Sequence, residues 1–156
     1  MLVEDPFGKA DGMTHEWRLG SALVSTDPAR LDLAVVHGFL TTAYWSPGVS
    51  LETVRRSIEY SIPFGVYVDE LQVGFARVIS DRTTYAYLAD VFIISEARGQ
   101  GLARFLLECI ETHPELQGLR TWALFTRDAH GLYEKVGFVR GQMQDRLMVR
   151  KVAAPG

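Results

Sequence analysis

The residues Arg98-Gly99-Gln100-Gly101-Leu102-Ala103 lie between an apolar, strand-like run and an amphipathic, helix-like run. Two glycines at a strand-to-helix turn let the backbone pass close to a bulky anion. The first N–H groups of the helix then point outward, where the helix dipole adds partial positive charge. The arrangement suits a pyrophosphate. Two better-known cradles do not fit. A dinucleotide fingerprint has a third glycine, and Arg104 stands in its place. A nucleoside-triphosphate loop closes on Gly-Lys-Ser/Thr, a tripeptide that occurs nowhere in the chain.

Asp90 is the other conspicuous group, the one charge inside the apolar run from Tyr87 to Ile94. Burying a carboxylate there is costly without a partner or a purpose. It can accept a proton, fix a bulge, or pair with an arginine such as Arg77 on a neighbouring strand. Asp81 is a weaker candidate for a base and reads better as a turn residue. The single cysteine, Cys109, excludes an internal disulfide. It falls on the face Leu102, Phe105, Leu106, Cys109, Ile110, where a small buried hydrophobe is expected. His15, His37, His113 and His130 show no metal-ligand spacing, so no metal is expected.

These groups need elements to hold them. Residues 1–13 mix charge, Gly and Pro without periodicity and read as a loose extension before a single domain over 14–156. Glu16 to Ser25 suits a first strand. Asp27-Pro28 opens a helix that runs to about Leu40, with Asp27 as its cap. Tyr44-Trp45-Ser46-Pro47-Gly48 forms a loop, and Ser50 caps a second helix that ends before Pro63. Phe64 to Val68 and Leu71 to Ile79 form two strands around a tight Asp69-Glu70 turn. Thr83 to Ile94 is the longest β-type run and suits a central strand covered on both faces. A helix from Leu102 to Glu111 follows the glycine turn, and then a strand over Leu119 to Thr126. Asp128 caps a short helix that Gly137 ends in a left-handed turn. Phe138 to Met143 and Arg146 to Val152 are the expected last strands.

Two segments carry a resemblance to a known family. The glycine turn resembles Gln/Arg-x-x-Gly-x-Gly/Ala, the acetyl-coenzyme-A motif of the GNAT (N-acetyltransferase) superfamily. Asp128-Ala129-His130-Gly131-Leu132-Tyr133-Glu134-Lys135-Val136-Gly137-Phe138 resembles the Leu-Tyr-Glu-Lys-x-Gly-Phe helix and strand near the C-terminus of many of its enzymes. One helix and one strand separate the two segments, as that fold requires, and the match spans about residues 16–152. The resemblance implies an α/β (α+β) fold, a single mixed, mostly antiparallel sheet flanked by helices. The implied order is β-α-α-β-β-β-α-β-α-β-β.

It also implies chemistry. The Val91-Phe92-Ile93 backbone would pair with the pantetheine arm of acetyl-coenzyme A as an added strand, beside a splayed neighbour. An amide near Phe92 or Ile93 would polarise the thioester carbonyl. The amides of Gly99, Gln100, Gly101, Leu102 and Ala103 would hold the pyrophosphate, with Arg98 and Arg104 adding charge or lying solvated on the surface. Tyr133 would protonate the departing thiolate. A tyrosine's reference pKa of about 10 exceeds a thiol's roughly 8.5, so the hydroxyl keeps its proton at neutral pH. A core tyrosine is the competing reading. Asp90 matches the Glu or Asp that takes the amine proton in many members. Many members have an Asn seven residues before the tyrosine, contacting the pantetheine. Here that position is Thr126, which offers one hydroxyl. His130 sits one turn before Tyr133 and reads as a surface histidine. The loop bearing Tyr44, Trp45 and Ser46 would line the acceptor pocket.

Composition narrows the remaining classes. With 156 residues, 47% hydrophobic and 22% charged, the chain has an ordinary globular balance and length for one real core. A formal charge of −3 argues against a nucleic-acid partner. No apolar stretch approaches a membrane span, and no signal-peptide pattern opens the chain, so a soluble, cytoplasmic protein without a membrane partner is expected. No acidic cluster marks a polyamine site and no feature marks a peptide groove. The resemblance implies an acceptor amine on a small molecule or a protein, and a homodimer is compatible with the apolar C-terminal run. Two functions follow: an acetyl-coenzyme-A-dependent N-acetyltransferase, or a non-catalytic acyl-coenzyme-A-binding regulatory module that needs only the cradle and the strand.

Overall fold

The computed structural model describes residues 13–141 and 144–152. The expected loose extension therefore lies outside the described residues, apart from Met13. The chain forms two compact units, one through Phe125 and one from Thr126 onward.

In the first unit, strands β1 (Glu16–Leu19) and β2 (Ala22–Ser25) replace the single strand expected over that stretch. Leu19 pairs with Ala22, so Gly20 and Ser21 make a two-residue hairpin turn. The helix expected from Asp27 is also divided. The Asp27 carboxylate accepts the Ala29 N–H and caps only a single 3-10 turn, Pro28–Arg30. Leu31 is extended, and Asp32 then accepts the Ala34 and Val35 N–H groups to start α1 (Leu33–Leu40). Two aspartates five residues apart each offer the backbone a helix start, and each takes one. Helix α2 (Leu51–Glu59) begins at Ser50 as its spacing predicts, with Ser50 Oγ accepting the Thr53 N–H at 3.1 Å.

Strands β3 (Ile62–Val68), β4 (Leu71–Ser80) and β5 (Tyr85–Ile93) follow, β3 and β4 joined by the Asp69-Glu70 turn. Helix α3 (Leu102–Glu111) and a short β6 (Thr121–Ala123) complete the unit. The six strands lie in chain order in one sheet, antiparallel from β1 to β5, with β6 parallel to β5. Alternation divides the core between the two faces. Phe75 is fully buried in a cluster with Val36, Leu40, Val54, Ile58 and Phe92, so α1 and α2 cover its face. Phe64 points the other way and meets His113 just beyond α3, which buries Leu102, Phe105, Leu106, Cys109 and Ile110. Each fully buried side chain of this kind contributes about 1.5–3 kcal/mol.

Two irregularities shape the site. β5 pairs with β6 only from Tyr85 to Tyr87, and β6 ends well short of the expected Thr126. Among the described residues of this unit, no strand lies along the outer edge of β5 from Leu88 onward. β5 is also bulged. Ala89 faces Arg77 and Phe92 faces Phe75, so Asp90 and Val91 together oppose Ala76. Asp90 sits at φ 56, left-handed backbone that Asp tolerates better than most residues.

The second unit contains α4 (His130–Glu134). Its N-cap is Ala129, not Asp128, with no side-chain cap, and the Thr126 hydroxyl oxygen accepts the Ala129 N–H at 3.0 Å. The C-terminal end is as the Gly137 spacing predicts. Gly137 has φ 94 and donates to Glu134 O, and Phe138 donates to Tyr133 O. This is a Schellman motif, and the Tyr133 and Phe138 rings supply its hydrophobic contact edge to face at 6.0 Å. The strands expected over Phe138 to Met143 and Arg146 to Val152 do not form among the described residues, and Met143 lies outside them. Val139, Leu147, Met148, Val149 and Val152 are exposed. Apolar alternation marks a strand only where a partner ladder takes up its backbone groups. None does here, so the observed order is β-β-α-α-β-β-β-α-β-α.

Candidate active site

The glycine turn is built as a cradle. Gly99 and Gly101 both lie in left-handed backbone, at φ 79 and φ 76. A Cβ added at either would meet no atom within 4 Å, so both face open space. Gly101 caps α3 without a side chain, and no acidic residue sits in the first turn. The helical ladder begins with Phe105 N–H to Gly101 O at 3.1 Å, which leaves the Leu102, Ala103 and Arg104 N–H groups ahead of it. Positive potential and unspent donors converge on that space. Arg104 turns to the surface, where its Nε donates to Glu108 at 3.0 Å. Arg98 folds back, and its Nε donates to the Ile93 carbonyl at 3.0 Å. The Ile94 N–H bonds inward to Val73 O, so alternation turns the Ile93 backbone groups toward the open edge of β5. Arg98 thereby ties the cradle to that edge.

At the bulge, Asp90 is a junction. Its Oδ2 accepts from Arg77 Nε at 2.6 Å and its Oδ1 accepts from Trp45 Nε1 at 2.9 Å. Both side chains of the ion pair are largely buried, at 12% exposure for Asp90 and 18% for Arg77. Arg77 continues to Ser61 Oγ at 3.2 Å, and Ser61 donates to the Ser57 carbonyl in α2. The pairing with Arg77 and the bulge, two of the roles open to Asp90 from sequence, are both present. Tyr87 registers the charge: burial first, then Asp90, holds its phenol above the ordinary value. Trp45 is more than an isolated loop aromatic. It meets Tyr44 edge to face at 5.1 Å and tilts against Phe39 at 6.3 Å. Phe39 in turn stacks on Phe92 at 4.0 Å. Both Tyr44 and Trp45 keep exposed surface, whereas Ser46 spends its hydroxyl on the Leu40 carbonyl.

Sequence reasoning passed over Phe39 and Ser61, which complete this junction. Only the apolar helix position of Phe39 could have hinted at it. Asp81 is the turn residue its setting suggests. Its carboxylate accepts from the Thr84 hydroxyl and from the Thr83, Thr84 and Tyr85 N–H groups. The Thr84 hydroxyl first, then these amides, hold the Asp81 carboxyl well below the usual carboxylate range. A lowered folded value means that Asp81 adds stability above the ordinary carboxylate range and loses it as pH falls toward the folded value. Thr84→Val is expected to move the Asp81 titration back toward the ordinary range, read by carbon NMR of its carboxyl during a pH titration. Burial pushes the Cys109 thiol up to about 12, so it carries no thiolate at neutral pH and is no nucleophile.

In the second unit, Tyr133 is buried and Thr126 accepts the Ala129 N–H, which leaves the hydroxyl hydrogen of Thr126 to donate elsewhere. His130 is half-buried at the start of α4. Among the described residues, no three His, Cys, Asp or Glu side chains gather as metal ligands. No helix among them is long and apolar enough to cross a membrane.

Residues 60–140 match a family model described as an acetyltransferase (GNAT) domain. A protein of Gibberella zeae designated a "putative acetyltransferase" is 32% identical over 144 residues, 78% of this chain and 80% of the relative. A crystal structure from Xanthomonas campestris pv. campestris bears the same designation, within the GNAT family. It is 45% identical, with a TM-score of 0.81 over 84% of this chain and 93% of that one. A predicted acetyltransferase from Clostridium acetobutylicum, solved with acetyl-CoA, shares the fold at a TM-score of 0.59. It is 12% identical over 88% of this chain and 96% of that one.

Proposed function

Because the chain belongs to the GNAT acetyltransferase family, we propose that it moves an acetyl group from acetyl-coenzyme A to a primary amine by direct attack. One observation carries the reading. A glycine cradle with outward helix amides lies at the end of the stretch of β5 edge, from Leu88 onward, that no described strand of its unit covers. Those residues fit the donor. The cradle amides of Gly99 to Ala103 hold the pyrophosphate, and the Val91-Phe92-Ile93 edge takes the pantetheine arm as an added strand. Arg98 supplies charge beside them, and the Thr126 hydroxyl offers a further hydrogen bond. Bound acetyl-coenzyme A supplies an acyl group activated as a thioester.

The chain's own residues do the rest. An outward amide at the Phe92-Ile93 segment donates to the carbonyl oxygen as charge builds there. Tyr133 donates its hydroxyl proton to the sulfur as the carbon–sulfur bond breaks. Tyr44 and Trp45 line the acceptor side. The attacking amine enters neutral and gives up its proton to water, which restores the tyrosine. The setting consistent with this chemistry is cytoplasmic.

Acetyl-coenzyme A is expected to raise the melting temperature. At one hundred times Kd the gain is about 2.7 kcal/mol, or roughly 5–10 °C for a chain of this size. Gly101→Asp keeps a residue that tolerates left-handed backbone and places a carboxylate in the cradle, so the shift should vanish. No shift with the wild-type protein at saturating donor overturns the reading. A shift without thiol release from any amine or peptide tested would make the protein a binding module.

A further inference from the structure

We infer that Asp90 is a positioning residue, the anchor that fixes the Trp45 indole as a rigid wall of the acceptor site. This rests on the donor-binding reading of the β5 edge. Three observations carry it. Both carboxylate oxygens are engaged, Oδ2 by Arg77 at 2.6 Å and Oδ1 by the Trp45 indole at 2.9 Å. A proton acceptor has to present an oxygen to the amine or its water, whereas an anchor has to hold its donors. Asp90 also occupies the left-handed position of the bulge, immediately before Val91-Phe92-Ile93. The 45-residue link between Trp45 and Asp90 thus sets the α1–α2 loop against the strand segment where the thioester end would lie. Finally, the indole is braced on its other sides by Tyr44 and Phe39, and Phe39 stacks on Phe92 of the same segment. A loop aromatic that merely covered the core would not need a buried carboxylate for its N–H.

The wall is electrically neutral. Arg77 balances the Asp90 charge, and the surface offered to an acceptor is the half-exposed Tyr44 and Trp45 rings. Such a surface recognises the body of the acceptor through its apolar or aromatic faces.

The test uses the full chain with acetyl-coenzyme A and a panel of primary amines: phenethylamine, putrescine, spermidine and a lysine peptide. Thiol release is followed for the most active of them. Trp45→Phe keeps the ring and removes the N–H donor. Asp90→Asn keeps a side chain that accepts left-handed backbone. Its single oxygen stays with the Arg77 guanidinium and its NH2 turns toward the indole N–H, which loses its acceptor. Each is expected to raise the acceptor KM about tenfold, the scale of one hydrogen bond to a charged group. Each should leave kcat, the pH profile and the acetyl-coenzyme A melting shift nearly unchanged. The double variant should be no worse than the weaker single one, because both remove the same bond. The inference is overturned if Asp90→Asn lowers kcat a hundredfold or more, with activity recovering at high pH, while Trp45→Phe is silent. That pattern belongs to a proton acceptor. Unchanged acceptor KM in both variants overturns it as well. If no amine releases thiol from wild type although the melting shift is present, the transfer reading fails and this inference fails with it.

Discussion

Tyr133→Phe is expected to lower kcat about 10²- to 10³-fold while leaving acetyl-coenzyme A binding and the fold intact. The magnitude is that of a positioned general acid, whose removal typically costs 10²–10⁴ in rate. The substitution keeps two structural features of the helix end. Tyr133 is the residue whose carbonyl accepts the Phe138 N–H in the Schellman motif, and its ring makes the accompanying contact with Phe138. Both features use the backbone and the ring, which Phe retains, and neither uses the hydroxyl. A core tyrosine and a proton donor therefore predict different results. The core role predicts a change in melting temperature with kcat preserved. The donor role predicts kcat lost with the acetyl-coenzyme A melting shift preserved. Steady-state thiol release, measured beside that shift, separates the two. Loss of the alkaline limb of the pH–rate profile in the variant would add a second signature, since the wild-type hydroxyl stops donating once it ionises. An unchanged kcat would remove Tyr133 from the chemistry.

How much of this was legible in the sequence depended on whether the signal was local. The cradle could be read because glycine spacing encodes backbone conformation directly. Gly99 and Gly101 adopt the left-handed geometry that their type permits and that most residues resist. Tyr133 and Gly137 could be read for the same reason, as a helix end written within a few residues. Asp90 was visible as an anomaly, a charge in an apolar strand, and Arg77 was within reach as a neighbour on the adjoining strand. Its second partner was not. Trp45 lies 45 residues away on a loop, and no local pattern distinguishes an indole that covers the core from one that spends its N–H on a buried carboxylate. The errors had the same origin. Glu16 to Ser25 looks like one strand because the hairpin turn occupies only Gly20 and Ser21. Residues 138–152 look like strands because apolar alternation does not say whether a partner ladder exists. Asp27 looked like the cap of a long helix because the rival cap, Asp32, is only five residues further on.

Gly74→Ala is expected to be among the most destabilising single-methyl changes available, and to weaken donor binding as a consequence. Gly74 faces Ile93 across the β4–β5 ladder, where β5 presents the edge proposed to take the pantetheine. A Cβ there would lie 2.5 Å from Ile93 Cδ1, 2.9 Å from the Phe92 carbonyl oxygen and 3.1 Å from Val66 Cβ. The first neighbour is the tip of a side chain and can rotate aside. The second is backbone, and the third is a branched carbon on β3, so relief requires the strands themselves to move. Overpacking of this kind costs about 2–3 kcal/mol, which for a chain of this length lowers the melting temperature by roughly 4–12 °C. The proper control is Gly38→Ala in α1, where an added Cβ meets nothing within 4 Å. There the helix gains about 1 kcal/mol from the same methyl. Opposite signs at the two glycines, read by thermal melting, would show that the cost comes from close approach of the strands and not from the methyl as such. Because the displaced backbone is that of Phe92, next to Ile93 on the same strand edge, the acetyl-coenzyme A melting shift should also shrink in Gly74→Ala. A variant that melts within a degree of wild type would mean that β4 and β5 do not approach this closely, and the β5 edge would lose its claim to be a rigid template.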